Sequence, residues 1–150
     1  MNRRLSLTGV MVLIGILLLS CAEEKKSKPK IVNPNGDSEL ALLMREMFDH
    51  SMEIKAQLEE DGKFDPIQRF DDMKTAEATE PEKAASDLYK AMADTYLSSV
   101  DLANGAPPSH RKQSFNSMVD NCMSCHEQMC PGPMVKIKKL YISSDSETLN

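Results

Sequence analysis

The residues best suited to do chemistry lie together in residues 121–134, which read NCMSCHEQMCPGPM. Two thiols, Cys122 and Cys125, are three positions apart, and the imidazole of His126 follows at once. This Cys-x-x-Cys-His spacing is the attachment signature of c-type haem. Each thiol can form a thioether with one vinyl group of haem, while the imidazole binds the iron from the same side. The motif therefore predicts one covalent haem c per chain, held by Cys122, Cys125 and His126.

Other interpretations of the thiol pair stay open. It could be half of a zinc site, although the other histidines, His50 and His110, are isolated and no second pair of ligands follows. It could be a thioredoxin-like redox pair, although no βαβ pattern surrounds it. It could also be a chance spacing, which would leave a non-haem protein with a structural, redox-active or metal-binding thiol pair.

The start of the chain has the pattern of a targeting segment. Arg3 and Arg4 precede an apolar run over residues 9–19, which is too short to span a membrane comfortably. The run ends in Leu-Leu-Ser-Cys, which resembles the lipobox of bacterial lipoproteins and implies lipidation at Cys21. We therefore predict a lipoprotein signal peptide at residues 1–20 and a flexible tether at residues 21–36. An ordinary secretory signal with a chance cysteine is the alternative.

This targeting predicts a chain anchored to the bacterial cell envelope and facing the periplasm, with the choice of membrane left open. The net charge is −5, and removal of residues 1–20, which hold two arginines and no acid, makes it −7. An acidic surface argues against nucleic acid as a partner. Cys130 is left unassigned, and we expect a buried thiol there; a redox-sensitive thiol or an intermolecular disulfide are the alternatives.

The elements that must position the motif are expected to be helices. The chain has eleven methionines and no tryptophan, and Gly and Pro occur mainly where helices could end. Apolar residues recur at helical spacing over residues 38–60, 66–78, 79–104 and 109–130. Short connections favour antiparallel neighbours. We therefore predict an all-α domain at residues 37–135, an antiparallel four-helix bundle with haem on the last helix, followed by a C-terminal tail at residues 136–150.

The expected inward faces follow from the same spacing. In the first helix they are Leu40, Leu43, Met44, Met47, Ser51, Ile54 and Leu58. In the second and third they are Ile67, Phe70, Met73, Ala85, Leu88, Met92, Tyr96, Val100 and Ala103. In the fourth they are Phe115, Met118, Val119, Cys122, Cys125, His126 and Met129.

A helical bundle with Cys-x-x-Cys-His near the end of its last helix resembles the class II c-type cytochromes. These are the cytochrome c-prime group and its methionine-ligated low-spin relatives. The resemblance covers about residues 38–130, whereas the lipid anchor, the Cys-Pro-Gly-Pro stretch and the tail depart from it. It implies that His126 is the proximal iron ligand and that a residue of helix one faces the other side of the haem.

The sixth iron ligand is then expected on helix one. Residues 43–46, Leu-Met-Arg-Glu, resemble the start of that helix in the methionine-ligated relatives, so Met44 is the first candidate. Met47, one turn on, is the second, and His50 is a less favoured rival. Each methionine could instead be core packing, the usual role of a methionine on an apolar face.

These features predict a membrane-tethered one-electron carrier with His/Met-ligated iron. The partners would be unidentified redox proteins and, through Cys21, the membrane; pairing into a homodimer is left open. If Met44 does not bind iron, a five-coordinate haem protein that binds NO or CO is the alternative. We expect no enzymatic activity, since no nucleophile–base set or phosphate-cradling loop is present. The basic run Lys136, Lys138 and Lys139 is expected to be solvated surface.

Overall fold

The computed structural model describes residues 37–143, and every regular element in that range is helical. The predicted all-α class is confirmed there, since residues 37–143 contain no β-strand. None of these helices is long and apolar enough to cross a membrane. The predicted signal peptide, the lipidation site Cys21 and the tether lie outside the described residues, as do residues 144–150.

Five α-helices and three short 3-10 turns follow one another along the described part of the chain. The α-helices are α1 Glu39–Glu60, α2 Pro81–Ala84, α3 Asp87–Asn104, α4 Arg111–Met129 and α5 Met134–Ile137. The 3-10 turns are Asp71–Lys74, Pro108–His110 and Lys138–Leu140.

Helix α1 matches its predicted bounds closely. The Ser38 hydroxyl accepts a hydrogen bond from the Ala41 amide at 3.3 Å and so caps the first turn. After the helix, Gly62 takes a left-handed conformation at φ 71°, which ends the helical path. The predicted inner face is confirmed in its second half, where the buried residues are Met47, Ser51, Ile54 and Leu58.

The predicted helix over residues 66–78 is wrong, because only the 3-10 turn Asp71–Lys74 forms there. Side chains of neighbouring helices bind the backbone that a helix would need. The Asn104 amide accepts from the Ile67 N–H at 2.8 Å and donates to the Ile67 carbonyl at 2.9 Å. The Gln68 N–H donates to His50 Nε2 at 3.0 Å. The segment still buries the three predicted apolar side chains, Ile67, Phe70 and Met73.

The third predicted helix is broken in two at residues 85–86. Ser86 ends the short α2 and caps α3, accepting from the Tyr89 amide at 3.2 Å. The break changes the helical phase, so the predicted inward residues Ala85 and Leu88 are exposed, Leu88 by 47%. The face of α3 that is buried instead consists of Tyr89, Ala93, Tyr96, Leu97, Ser99, Val100 and Ala103.

Helix α4 carries the motif, as predicted, and it packs most extensively against α3. Phe115, Met118 and Val119 are fully enclosed in the core. Cys122, Cys125 and His126 follow on the last two turns and are half-buried. The core therefore fixes the middle of α4, and the motif lies where the helix leaves the core.

Part of the segment that the sequence analysis assigned to a C-terminal tail packs on the helices. Residues 134–143, here called the C-terminal strap, run back over the helices and bury Ile137, Leu140 and Ile142. The buried apolar spacing was missed because the turn at Pro131, Gly132 and Pro133 separates it from α4. The helical domain thus extends at least to residue 142.

Hydrogen bonds from two helices fasten the C-terminal strap. Lys55 Nζ on α1 donates to the carbonyls of Lys139 and Tyr141, each at 2.9 Å. The Asn116 amide on α4 accepts from the Ile142 N–H at 2.9 Å and donates to the Ile142 carbonyl at 2.8 Å. The strap is therefore held between α1 and α4 by both apolar burial and directed bonds.

Candidate functional site

A cavity of about 540 Å³ lies beside the end of α4. Its size is within the roughly 300–1,000 Å³ typical of small-molecule and cofactor sites. The start of α1, the loop before α2, α2 itself, Tyr89 of α3, the end of α4 and the C-terminal strap all contribute to its wall. The apolar part of that wall includes Leu40, Ala41, Met44, Phe48, Ala84, Met129 and Ile137.

The cavity brings together some of the predicted site residues and leaves out others. Met44 from α1 lines it together with Cys125 and His126 from α4, although 81 positions separate Met44 from Cys125. Cys130 also lines it, but its side chain is exposed because α4 ends just before it, so the expected buried thiol is wrong. Cys122 does not; its half-buried side chain packs against the core. The first candidate for the sixth ligand thus shares a cavity with the predicted proximal histidine.

The imidazole of His126 is oriented by the turn that follows it. Its Nδ1 lies 3.1 Å from the Cys130 carbonyl oxygen and 3.2 Å from the Cys130 Sγ. Because a carbonyl can only accept, Nδ1 carries the proton in this bond, and Nε2 keeps its lone pair. Burial lowers the pKa of His126, opposed by the bond to Cys130, and so favours the neutral ring. A neutral imidazole with one fixed N–H is the form that binds a metal.

The thiols of the motif are free and protonated at neutral pH. Burial raises the pKa of Cys122 to about 12 and that of Cys125 to about 11, and the neighbouring thiols add to both shifts. Redox-active pairs have the opposite property, a lowered thiol pKa that makes a thiolate nucleophile. The environment of the pair therefore does not suit a thioredoxin-like role.

The two rival candidates for the sixth position lie elsewhere. Met47 is 7% exposed within the hydrophobic core, so it packs as an ordinary core methionine. His50 Nε2 accepts a hydrogen bond from the backbone N–H of Gln68. The His50 ring meets the Phe70 ring edge-on, with 5.9 Å between the two centroids. His50 is therefore already engaged on another side of α1, away from the residues that line the cavity.

Charged residues on the cavity wall were missed by the sequence patterns. Arg45, Lys83 and Lys136 bring three positive charges to it, and Glu80 brings one negative charge. They come from α1, from α2 and the residue before it, and from the C-terminal strap, so only the folded chain groups them. Of these, only Lys136 was noted in the sequence, as part of a run expected to be solvated.

Three of the four side chains that would hold a covalently attached haem line this cavity, and the fourth, Cys122, lies outside its lining on the same helix. An imidazole and a methionine thioether form the donor set of His/Met haem iron, and both line one cavity. Apolar side chains of α1 supply a wall for a flat apolar ring, and cations border it. His126, Met44, Cys125 and Cys122 are the residues that would hold the group. Within residues 37–143 no three His, Cys, Asp or Glu side chains are grouped to hold a metal ion.

Tyr89, on the cavity wall, is expected to make the free energy of unfolding fall as the pH rises in the alkaline range. Its hydroxyl donates to the Met73 carbonyl at 2.6 Å, and burial raises its pKa to about 12, from about 10 when unfolded. Between pH 10 and 12 the folded chain holds the Tyr89 phenolic proton more tightly than the unfolded chain does. The stabilisation that Tyr89 contributes is fully present below pH 10 and is lost as the pH rises through 12.

We expect Tyr89→Phe to flatten the fall of the unfolding free energy between pH 10 and 12, by up to about 1.4 kcal/mol per pH unit. Urea titrations at several pH values would measure this. Below pH 9 the variant should show only a constant loss of about 1 kcal/mol from the missing hydrogen bond. An unchanged alkaline slope would contradict the assignment.

Comparisons with protein-family models, with curated proteins and with solved structures each gave no match. The grounds for a function therefore lie in the motif and in the cavity beside it.

Proposed function

We propose that this protein is a monohaem c-type cytochrome that carries single electrons, with iron held by His126 and Met44. The observation that carries the proposal is the shared cavity: a methionine thioether from α1 and the histidine of the Cys-x-x-Cys-His motif line the same space. Neither residue is near the other in sequence, and the methionine is the one that the family resemblance implied.

The chain's own groups have distinct tasks in this proposal. The bond from His126 Nδ1 to the Cys130 carbonyl orients the imidazole and leaves the Nε2 lone pair available, so that His126 would bind the iron through Nε2. Cys122 and Cys125, three positions apart on α4, hold the cofactor through thioethers. Met44 would supply a thioether ligand to the iron, and such a ligand would keep small exogenous ligands away.

When bound, the haem supplies a reversible one-electron change at iron, and a methionine ligand raises its reduction potential relative to two histidines. The protein's contribution is rigidity. Met118 and Val119 fix α4 in the core, and Met47 and Ile54 fix α1. Because both ligand-bearing helices are anchored, their side chains need to move little between oxidation states.

The proposal includes the finer points of architecture and location. The haem is attached to the last long helix of an antiparallel bundle, in which the segment between α1 and α3 takes the place of a regular second helix. Lipidation at Cys21 tethers the protein to the bacterial envelope, facing the periplasm. A tether raises the effective concentration of the protein for redox partners at the same membrane.

The test is an absorption spectrum of protein matured with covalent haem, oxidised and reduced, with and without carbon monoxide. We expect a sharp reduced α band, a weak oxidised band at about 695 nm, where Met–iron coordination absorbs, and no shift with carbon monoxide. The Cys122→Ala/Cys125→Ala double variant is the control and should lose the covalent haem. A high-spin spectrum that shifts with carbon monoxide would support the gas-binding alternative. Wild-type protein without a haem band would support a non-haem thiol protein.

A further inference from the structure

The basic residues on the cavity wall differ in how their charges are compensated. Arg45 forms an ion pair with Asp37 at 3.2 Å, and Lys83 forms one with Glu80 at 2.9 Å. Lys83 also donates to the Met129 carbonyl at 3.4 Å. Both cations are therefore already matched with carboxylates of the chain.

Lys136 has a different environment. Its Nζ lies over the ring of Phe48, 4.1 Å from the centroid, and it forms no ion pair with any residue in the range 37–143. A cation–π contact at an exposed site contributes only about 0.5–1 kcal/mol, and it leaves the positive charge uncompensated. Both Lys136 and Phe48 line the cavity. An ammonium group is thus held against an apolar wall, where an anionic ligand could displace it from the ring.

We propose that Lys136 binds a carboxylate of the haem at the border of this cavity. The inference rests on the proposed function and adds to it the residue that recognises the charged edge of the cofactor. Haem combines a flat apolar body with two carboxylates, and the cavity combines apolar side chains of α1 with the ammonium group of the C-terminal strap. The motif residues hold the ring and the iron, whereas no other uncompensated cation of the wall is left for the carboxylates.

The charge of the whole protein favours such a residue. The chain without its predicted signal peptide has a net charge of −7, so its average field repels a dianionic ligand. A local cation such as Lys136 offsets that repulsion at the cavity wall. The other charged or titratable groups on the wall are Arg45, Glu80, Lys83, Tyr89, His126 and the thiols Cys125 and Cys130.

A lysine beside a carboxylate has two measurable consequences. It favours the ionised carboxylate, so it lowers the pKa of that group by about 1–3 units. The positive charge of the lysine also stabilises the reduced haem, which carries one more electron, and so raises the reduction potential. Ionisation of a nearby carboxylate lowers the potential, and a plot of potential against pH therefore bends at the pKa of that carboxylate.

The experiment measures the midpoint potential of covalently loaded protein from pH 4 to pH 9. Lys136→Gln is compared with wild type and with Lys138→Gln, which makes the same change of charge two residues along the strap and outside the cavity lining. We expect Lys136→Gln to move the bend by about 1 pH unit or more toward higher pH, and to lower the potential above the bend. Lys138→Gln should leave the bend where it is, and Lys136→Arg should keep the wild-type curve.

Glu80→Gln identifies which carboxylate causes the bend. If the bend persists in that variant and still responds to Lys136→Gln, it belongs to the haem; if it disappears, it belongs to Glu80 and the proposal is overturned. Identical curves for Lys136→Gln and Lys138→Gln, with the haem band present, would overturn the role of Lys136 and leave the cytochrome intact. Wild-type protein that takes up no covalent haem would overturn both.

Discussion

Replacing Met44 with leucine is expected to convert the proposed six-coordinate, low-spin haem into a five-coordinate one that binds carbon monoxide. Leucine keeps nearly the volume of methionine, so the cavity wall stays intact while the sulfur ligand is lost. The band at about 695 nm should disappear completely. The reduction potential should fall by on the order of 0.1 V, a fraction of the ~0.8 V over which axial ligands set haem potentials. Visible spectra with and without carbon monoxide, and a redox titration, measure both effects.

The matched control for that change is Met47→Leu, one turn along the same helix. Met47 is buried in the core and does not line the cavity, so its replacement should cost under about 1.5 kcal/mol of stability and leave the spectrum unchanged. If Met47→Leu removed the band and Met44→Leu did not, the assignment of the sixth ligand would be reversed. If neither did, the sulfur ligand would be a methionine other than Met44 and Met47.

Removing the C-terminal strap is expected to destabilise the whole domain. A chain ending at Pro133 loses three buried apolar side chains, Ile137, Leu140 and Ile142, each contributing about 1.5–3 kcal/mol when fully buried. The expected loss of about 5 kcal/mol or more compares with the total of about 5–15 kcal/mol that is normal for a domain. Thermal and urea unfolding followed by circular dichroism would show a large drop in midpoint or no cooperative transition.

A chain ending at Ser143 is the control for length, because it keeps all three buried side chains and should unfold close to the full-length midpoint. Ile137→Ala, at a position 6% exposed, and Val135→Ala, at one 76% exposed, repeat the comparison with single substitutions. Ile137→Ala should lower the free energy of unfolding by about 2–5 kcal/mol, and Val135→Ala should leave it nearly unchanged. Equal midpoints for the two shortened chains would contradict the inclusion of the strap in the core.

The sequence predicted which helix carries the motif, whereas it predicted the segment between α1 and α3 wrongly. The Cys-x-x-Cys-His spacing places its residues on one helix by local geometry alone, and Met44 followed from the resemblance of helix one. The cations on the cavity wall had no such signal, because Arg45, Lys83 and Lys136 are brought together by tertiary packing. A run of lysines has the same sequence pattern whether its side chains face solvent or line a cavity.

The errors in the fold have tertiary causes as well. Residues 66–78 have a proline at the start and apolar residues at helical spacing, yet Asn104 and His50 bind their backbone from a distance. Local propensity is a weak prior when such partners compete for the amide groups. The break at Ser86 is subtler: one serine caps a new helix and rotates the apolar face, so Tyr89 replaces Leu88 in the core.

The hydrogen bond that orients His126 has a consequence for how this site can be recognised in other chains. Its acceptor is the main-chain carbonyl of residue 130, which nearly any amino acid supplies equally well. Substitution at that position keeps this carbonyl and removes only the contact of the Cys130 Sγ with the same nitrogen, at 3.2 Å, so the ring should keep its orientation. The position at which α4 ends determines this contact, since the backbone N–H of Cys130 also donates to the His126 carbonyl. The orientation of the His126 ring therefore depends more on the length of α4 than on which side chain stands at position 130.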